Sequence, residues 1–154
     1  MLQGICFQAH PTQAQKHILS QWMGCARTIW NAKVAEEKYY GTFARKYYPL
    51  GTYAPIDQTT AQFKDAELTP WLSNCPSQIL RNSAVNWYKT YQKFMKGICG
   101  KPKFKSKDEK GSLHLTKELF QFEACSDGVT RLRIGTKRHP LGYLSFKKHT
   151  AYKL

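Results

Sequence analysis
A chain of 154 residues, 42% hydrophobic and 14% aromatic, can bury a core as one domain or as two small interleaved subdomains, and is too apolar for a disordered tail. No apolar run approaches the ~20 residues of a membrane-spanning helix, and Met1-Leu2-Gln3-Gly4-Ile5 lacks the layout of a secretory signal, so a soluble, cytoplasmic protein is expected. Twenty-four Lys and Arg against ten Asp and Glu give +14, and such a surplus attracts polyanions, releasing their counterions as phosphate is neutralised.

The surplus is uneven. Residues 1–88 hold eight basic and five acidic side chains, whereas residues 89–154 hold sixteen and five. The basic residues do not line one face of an amphipathic helix, which argues against a membrane surface as partner. The five cysteines (Cys6, Cys25, Cys75, Cys99 and Cys125) include no C-x-x-C pair. They read as reduced thiols, mostly small core residues, rather than a disulfide framework or a zinc site.

In chain order, Leu2 to Ala9 alternates loosely and predicts an edge strand. Thr12 and Gln15 form an S/T-x-x-E/Q capping box, which opens a helix. Ile18, Leu19, Trp22, Met23, Ala26, Ile29, Trp30 and Val34 recur at helical spacing, and Gly41 is expected to stop the helix after Tyr40. Residues 42–55, with Tyr47, Tyr48, Pro49, Gly51 and Tyr53, read as a loop, and Asp57 as the cap of a shorter helix through Ala66. After the Thr69-Pro70 turn, Pro76 suits the first turn of a third helix carrying Leu80, Ala84, Trp87, Tyr91, Phe94 and Met95, which ends at Gly97.

The character then changes. Residues 98–111 carry Gly, Pro and five lysines without a period. Short β-prone runs follow at Leu113–Leu115, Leu119–Glu123, Val129–Ile134 and Tyr143–Phe146, separated by turn signals at Ser126-Asp127-Gly128 and Pro140-Leu141-Gly142. Many short strands suggest a small antiparallel barrel or sheet, which the first strand is expected to join, leaving the helices as an insertion.

Metal-dependent phosphodiester cleavage needs clustered carboxylates, and the acids here do not suggest a cluster. Glu36 and Glu37 point in different directions on their helix, so one should simply be solvated. Asp108 and Glu109 sit among lysines and read as local charge pairs. His10, His17, His114, His139 and His149 lack metal-ligand spacing. No catalytic role and no cofactor is expected for this chain. Binding features are better defined, because Lys93, Lys96, Lys101, Lys103, Lys105, Lys107 and Lys110 fall within eighteen residues, with Phe94 and Phe104 among them. Lysines grip phosphate and aromatics stack on bases. A second reading makes Phe104 a core anchor that pins the loop.

Three blocks of sequence resemble the TnpB/OrfB transposon-associated proteins. The first is His10-Pro11-Thr12-x-x-Gln15 with Gly24-Cys25-Ala26-Arg27-x-Ile29-x-Asn31. The second is Trp71-Leu72-x-x-Cys75-Pro76-Ser77-Gln78-Ile79-Leu80, leading to Tyr91-x-x-Phe94. The third is Gly100-Lys101-Pro102-Lys103-Phe104-Lys105 with Ser112-x-His114-Leu115-Thr116.

The resemblance implies an α+β fold in which a helical recognition bundle is inserted after the first strand of a small antiparallel wedge-type β-barrel. On that plan residues 1–10 hold the first wedge strand, 11–97 the recognition domain, 98–111 the basic loop and 112–154 the remaining wedge strands. It also implies a structured guide RNA and duplex DNA beside a short adjacent motif as partners, within a prokaryotic, nucleoid-associated setting. The same lobe is described in the family as helix-turn-helix, so a stand-alone DNA-binding regulator is the alternative. In the family a RuvC-like nuclease domain, with three carboxylates and a zinc ribbon, follows this lobe. Residues 1–154 reach no such carboxylates or C-x-x-C pair, so a fragment, a truncated gene product or a stand-alone derivative kept for binding is expected. Adjacent-motif DNA maps to Ser77, Gln78, Arg81 and Asn82 at the start of the third helix, with Gln58, Thr59 and Thr116 nearby. Gln and Arg suit base reading because each makes bidentate bonds to base edges. Arg27 and Asn31, one turn apart, are expected to bond another helix or a loop.

Overall fold
The computed structural model describes residues 2, 4–44, 60–124 and 130–147. Its first regular element is a short strand, β1 (Gln8–Ala9), and the expected strand from Leu2 is cut down to these two residues. Helix α1 (Gln13–Tyr39) begins on the expected capping box: the Thr12 hydroxyl accepts from the Gln15 amide at 3.2 Å, and Gln15 Oε1 accepts from the Thr12 amide at 2.9 Å. Such a cap contributes about 1 kcal/mol. Gln15 also works across the fold, donating through Nε2 to the carbonyls of Leu141 at 3.3 Å and Tyr143 at 2.7 Å.

Gly41 does not stop the helix. A wide π-type turn, Tyr40–Ala44, carries the chain past it, and the Tyr40 amide donates to the carbonyls of both Glu36 and Glu37. Glycine terminates a helix by adopting positive φ, and Gly41 is not among the positive-φ glycines. The helix expected from Asp57 through Ala66 does not form over residues 60–66, which hold only a single 3₁₀ turn, Ala61–Phe63; Asp57 itself and most of the loop before it lie outside the described residues. A second 3₁₀ turn, Pro70–Asn74, buries Leu72 and leaves Trp71 exposed.

Helix α2 (Ser77–Met95) starts one residue after Pro76. It ends as the sequence predicts: Gly97 has φ 72°, its amide donates to Phe94, and the Ile98 amide donates to Lys93. Those two bonds are a Schellman cap, in which glycine escapes the Cβ penalty of the left-handed region. The helices pack on each other, with the Ser83 hydroxyl donating to the Ala26 carbonyl at 2.6 Å.

Beyond the lysine-rich loop, β2 (Phe120–Ala124), β3 (Thr130–Gly135) and β4 (Pro140–Leu144) form an antiparallel sheet in that order, with Phe122 opposite Leu132 and Leu132 opposite Leu144. The last strand, β5 (Phe146–Lys147), pairs with β1, Ala9 opposite Phe146, so the first strand does join the last and the helices lie between them. The described residues form two separate sheets rather than a closed barrel.

Two strand-level expectations are corrected. Residues 113–115 are not a strand; their backbone is held instead by the Asn82 side chain, which donates to the His114 carbonyl. The turn expected at Pro140-Leu141-Gly142 lies earlier, over residues 136–139. Pro140 is instead the first residue of β4, a position where a missing N–H is tolerated. Gly135, at φ 108°, makes the turn possible, since a Cβ there would stand 2.5 Å from the His139 carbonyl. The Ser126-Asp127-Gly128 turn lies outside the described residues.

The main core joins α1 (Trp22, Cys25, Ile29), the Leu72–Cys75 segment, α2 (Ile79, Leu80, Ala84) and the sheet region (Leu119, Ile134, Leu141). A smaller cluster of Trp30, Val34 and Trp87 extends it along the helices. Cys25 and Cys75 are core residues as expected, whereas Cys6 and Cys99 are exposed.

Candidate nucleic-acid interface
The basic loop is gripped by α1. Trp30 Nε1 donates to the Lys103 carbonyl at 2.7 Å. Asn31 makes a two-way bond to the backbone of Lys105, donating through Nδ2 to its carbonyl at 3.0 Å and accepting from its amide at 2.8 Å. Pro102 is buried beside these anchors. A segment without regular structure cannot satisfy its own backbone groups, so these bonds fix its path. The grip falls on main-chain atoms, and the side chains of Lys93, Lys96, Lys103 and Lys107 remain exposed.

Other lysines of the run are engaged. Lys101 Nζ lies 2.9 Å from the carboxylate of Glu37, which is only 5% exposed. Glu36 pairs with Lys33 at 3.6 Å, so neither acid of this pair is simply solvated. Lys105 Nζ sits 3.8 Å over the Trp30 ring, and burial holds its pKa below the ordinary lysine value. Phe104 is not a core anchor. It is 48% exposed, and the Lys38 ammonium lies 4.7 Å from its ring.

At the start of α2 the predicted base-contacting residues form one hydrogen-bonded set. Arg81 donates to Gln78 Oε1 at 3.3 Å, and Gln78 Nε2 donates to Asn82 Oδ1 at 3.0 Å. Asn82 then donates to the His114 carbonyl at 2.9 Å and lies 3.4 Å from the Thr116 hydroxyl. Thr116 also hydrogen-bonds Glu118, which, with the Glu118 backbone amide, holds that carboxyl below its ordinary range. Arg81 and Ser77 are exposed and Gln78 is half-buried, whereas Asn82 is buried and anchors the chain after the loop. Gln58 and Thr59 lie outside the described residues.

Ser77 and Gln78 open onto a cleft of about 350 Å³, lined also by Lys64, Arg138, His139 and Glu118. His139 reaches the Ser73 carbonyl at 3.0 Å, tying the β3–β4 turn to the segment before α2. Sequence reasoning did not single out Lys64 or Arg138. Lys64 ends the 3₁₀ turn Ala61–Phe63 and Arg138 lies in the β3–β4 turn, and the fold brings both to the cleft beside Ser77. Arg27 differs from its neighbour Asn31, because no hydrogen bond or ion pair holds it among the described residues. No group of three or more His, Cys, Asp or Glu side chains positioned for a metal occurs among the described residues. No described helix is long and apolar enough to cross a membrane.

Comparison with known proteins agrees with the motifs. Residues 1–42 match the helix-turn-helix domain of the OrfB proteins of IS605-type elements. In this structure those residues form β1, α1 and the first part of the turn that follows α1. InsQ of Escherichia coli (strain K12), named as an RNA-guided DNA endonuclease, is 28% identical over 108 residues, which are 70% of this chain and 26% of InsQ. The chain therefore spans about a quarter of that relative. The family match over residues 1–42 and the similarity to InsQ over 70% of this chain agree with the resemblance to the TnpB/OrfB proteins that the three sequence blocks carry.

Proposed function
We propose that the chain is the nucleic-acid-binding lobe of a TnpB-like RNA-guided nuclease, holding a structured guide RNA and contacting duplex DNA beside a short adjacent motif. The observation that carries this reading is the way α1 holds the lysine-rich loop by its main chain, through Trp30 and Asn31, while Lys103 and Lys107 face solvent. Phosphate contacts need mobile ammonium groups on a fixed backbone, and this arrangement supplies both. Exposed Phe104 adds a face on which an unpaired base can stack. Arg81, Gln78 and Ser77, beside Lys64 and Arg138, are assigned to base edges and their flanking phosphates.

The chain itself binds rather than cleaves in this reading. A DNA-binding regulator that needs no RNA is the second reading, favoured by the helix-turn-helix match over residues 1–42. Purification under low salt separates the two. RNA that co-elutes, seen as excess absorbance at the nucleic-acid maximum and removed by ribonuclease, supports the guide-binding lobe. RNA-free protein that still selects duplex sequences supports the regulator. Mg²⁺-dependent cleavage that tracks the protein and is lost on replacing one of its own acids overturns the assignment as a binding lobe alone.

A further inference from the structure
A second cleft, of about 390 Å³, lies between α1, α2 and the loop that α1 holds. It is separate from the one beside Ser77, although Asn82 of the α2 set also lines it. Its charged wall carries Arg27, Lys105 and Lys110 against one carboxylate, Glu109. That carboxylate is turned toward the loop's own backbone, accepting from the Ser106 amide at 3.2 Å. Lys105 lies on the Trp30 ring. Arg27 is half-buried and carries no hydrogen bond or ion pair among the described residues. Its guanidinium is not among the buried polar atoms that lack a partner, so it reaches solvent and is open to an oxygen-bearing ligand.

Met23, one turn from Arg27 on α1, and Leu113 add apolar side chains to the lining. The loop closes tightly at one end, where a Cβ on Gly111 would stand 2.6 Å from Met23 Sδ. Cations beside apolar side chains suit a ligand with an anionic end and a flat body, and the volume falls within the ~300–1,000 Å³ range of small-ligand pockets.

We propose that this cleft receives one nucleotide of a single strand, with Arg27 and Lys110 on its phosphate and Met23 and Leu113 against its base. The proposal rests on the nucleic-acid-binding reading above and adds to it a discrete single-nucleotide subsite. Phosphate contacts on the outer lysines are interchangeable, but this one is a fixed position with a single strand in it.

The test uses the full chain with fluorescent ten-nucleotide single strands of RNA and of DNA, a duplex of the same length, and a free nucleoside 5′-monophosphate as competitor. Arg27→Ala is expected to weaken single-strand binding by about tenfold or more, and to lower the salt slope by ~0.7, the share of one phosphate on a single strand. Duplex affinity and thermal stability should be unchanged, and Arg27→Lys should restore much of the loss. A single strand carrying a photoreactive pyrimidine should crosslink to peptides holding Met23 or Leu113, and do so less in Arg27→Ala. The RNA and DNA arms identify which strand is bound, and competition by the mononucleotide at millimolar concentration shows whether one unit suffices. Wild-type protein that binds no nucleic acid overturns both this proposal and the reading beneath it. Wild-type binding that is indifferent to Arg27→Ala, or lost equally for duplex and single strand, overturns this proposal alone.

Discussion
The loop carrying Lys101 to Lys110 and the first turns of α2 are fixed in opposite ways. The loop is held by its main chain, through bonds from Trp30 and Asn31 to the backbone of Lys103 and Lys105, so its exposed lysines keep their rotamers. The start of α2 is held through its side chains, with Arg81, Gln78 and Asn82 bonded in series and tied to residues 114 and 116. Free side chains suit phosphate, which offers charge but no sequence. A pre-ordered fork suits base edges, where geometry decides which base is accepted. The two regions differ less in residue type than in whether main-chain or side-chain atoms make the bonds that hold them in place.

The comparison breaks most visibly with salt. If the loop and the basic strands after it meet ~6–10 phosphates, affinity for RNA or duplex DNA should fall by ~10³–10⁵ between 50 and 200 mM salt. A filter-binding series measures this, and a flat response would leave the loop with no phosphate role.

Lysines within the loop should then separate from one another. Lys101→Ala leaves the nearly buried Glu37 carboxylate without its partner, and should cost about 1–3 kcal/mol in denaturant unfolding. Lys103→Ala and Lys107→Ala, at exposed positions, should leave stability within about 0.5 kcal/mol while weakening binding. Equal stability losses at all three positions would contradict the distinction between engaged and free lysines.

A smaller effect is expected from the anchor. Asn31→Ala removes both bonds to Lys105 and should lower stability by about 1–2 kcal/mol. Its sharper readout is proteolysis, because trypsin should cut the loop faster in this variant than in wild type. Unchanged cleavage would mean that the loop is fixed by something other than its main-chain bonds.

How far all this was legible in the sequence depends on distance along the chain. The start of α1 and the end of α2 are written in local chemistry, Thr12 with Gln15 and Gly97, and both were readable. Gly41 misled because glycine permits a helix end without requiring one. Pro140-Leu141-Gly142 misled because the same residues suit the first position of a strand, and the true turn depends on Gly135 meeting the His139 carbonyl. In the candidate interface, the grouping of Gln78, Arg81, Asn82 and Thr116 was anticipated, but the burial of Asn82 was not. Its partner, the His114 carbonyl, is a backbone atom 32 residues away and has no sequence signature. The same holds for the loop anchors, whose bonds span 73 and 74 residues and end on carbonyls and an amide. Arg27 and Asn31 looked alike, one turn apart, yet only Asn31 reaches the loop.

The most direct test of two differently held regions is a competition assay on a randomised library of short duplexes, comparing Arg81→Ala with the Lys103→Ala, Lys107→Ala double variant. The double variant should lose affinity for every sequence about equally. Arg81→Ala should instead flatten the preference among sequences, by ~1–3 kcal/mol at the positions it reads. If both variants lose affinity with the same sequence-independent profile, α2 does not read bases, and the protein is a general polyanion binder.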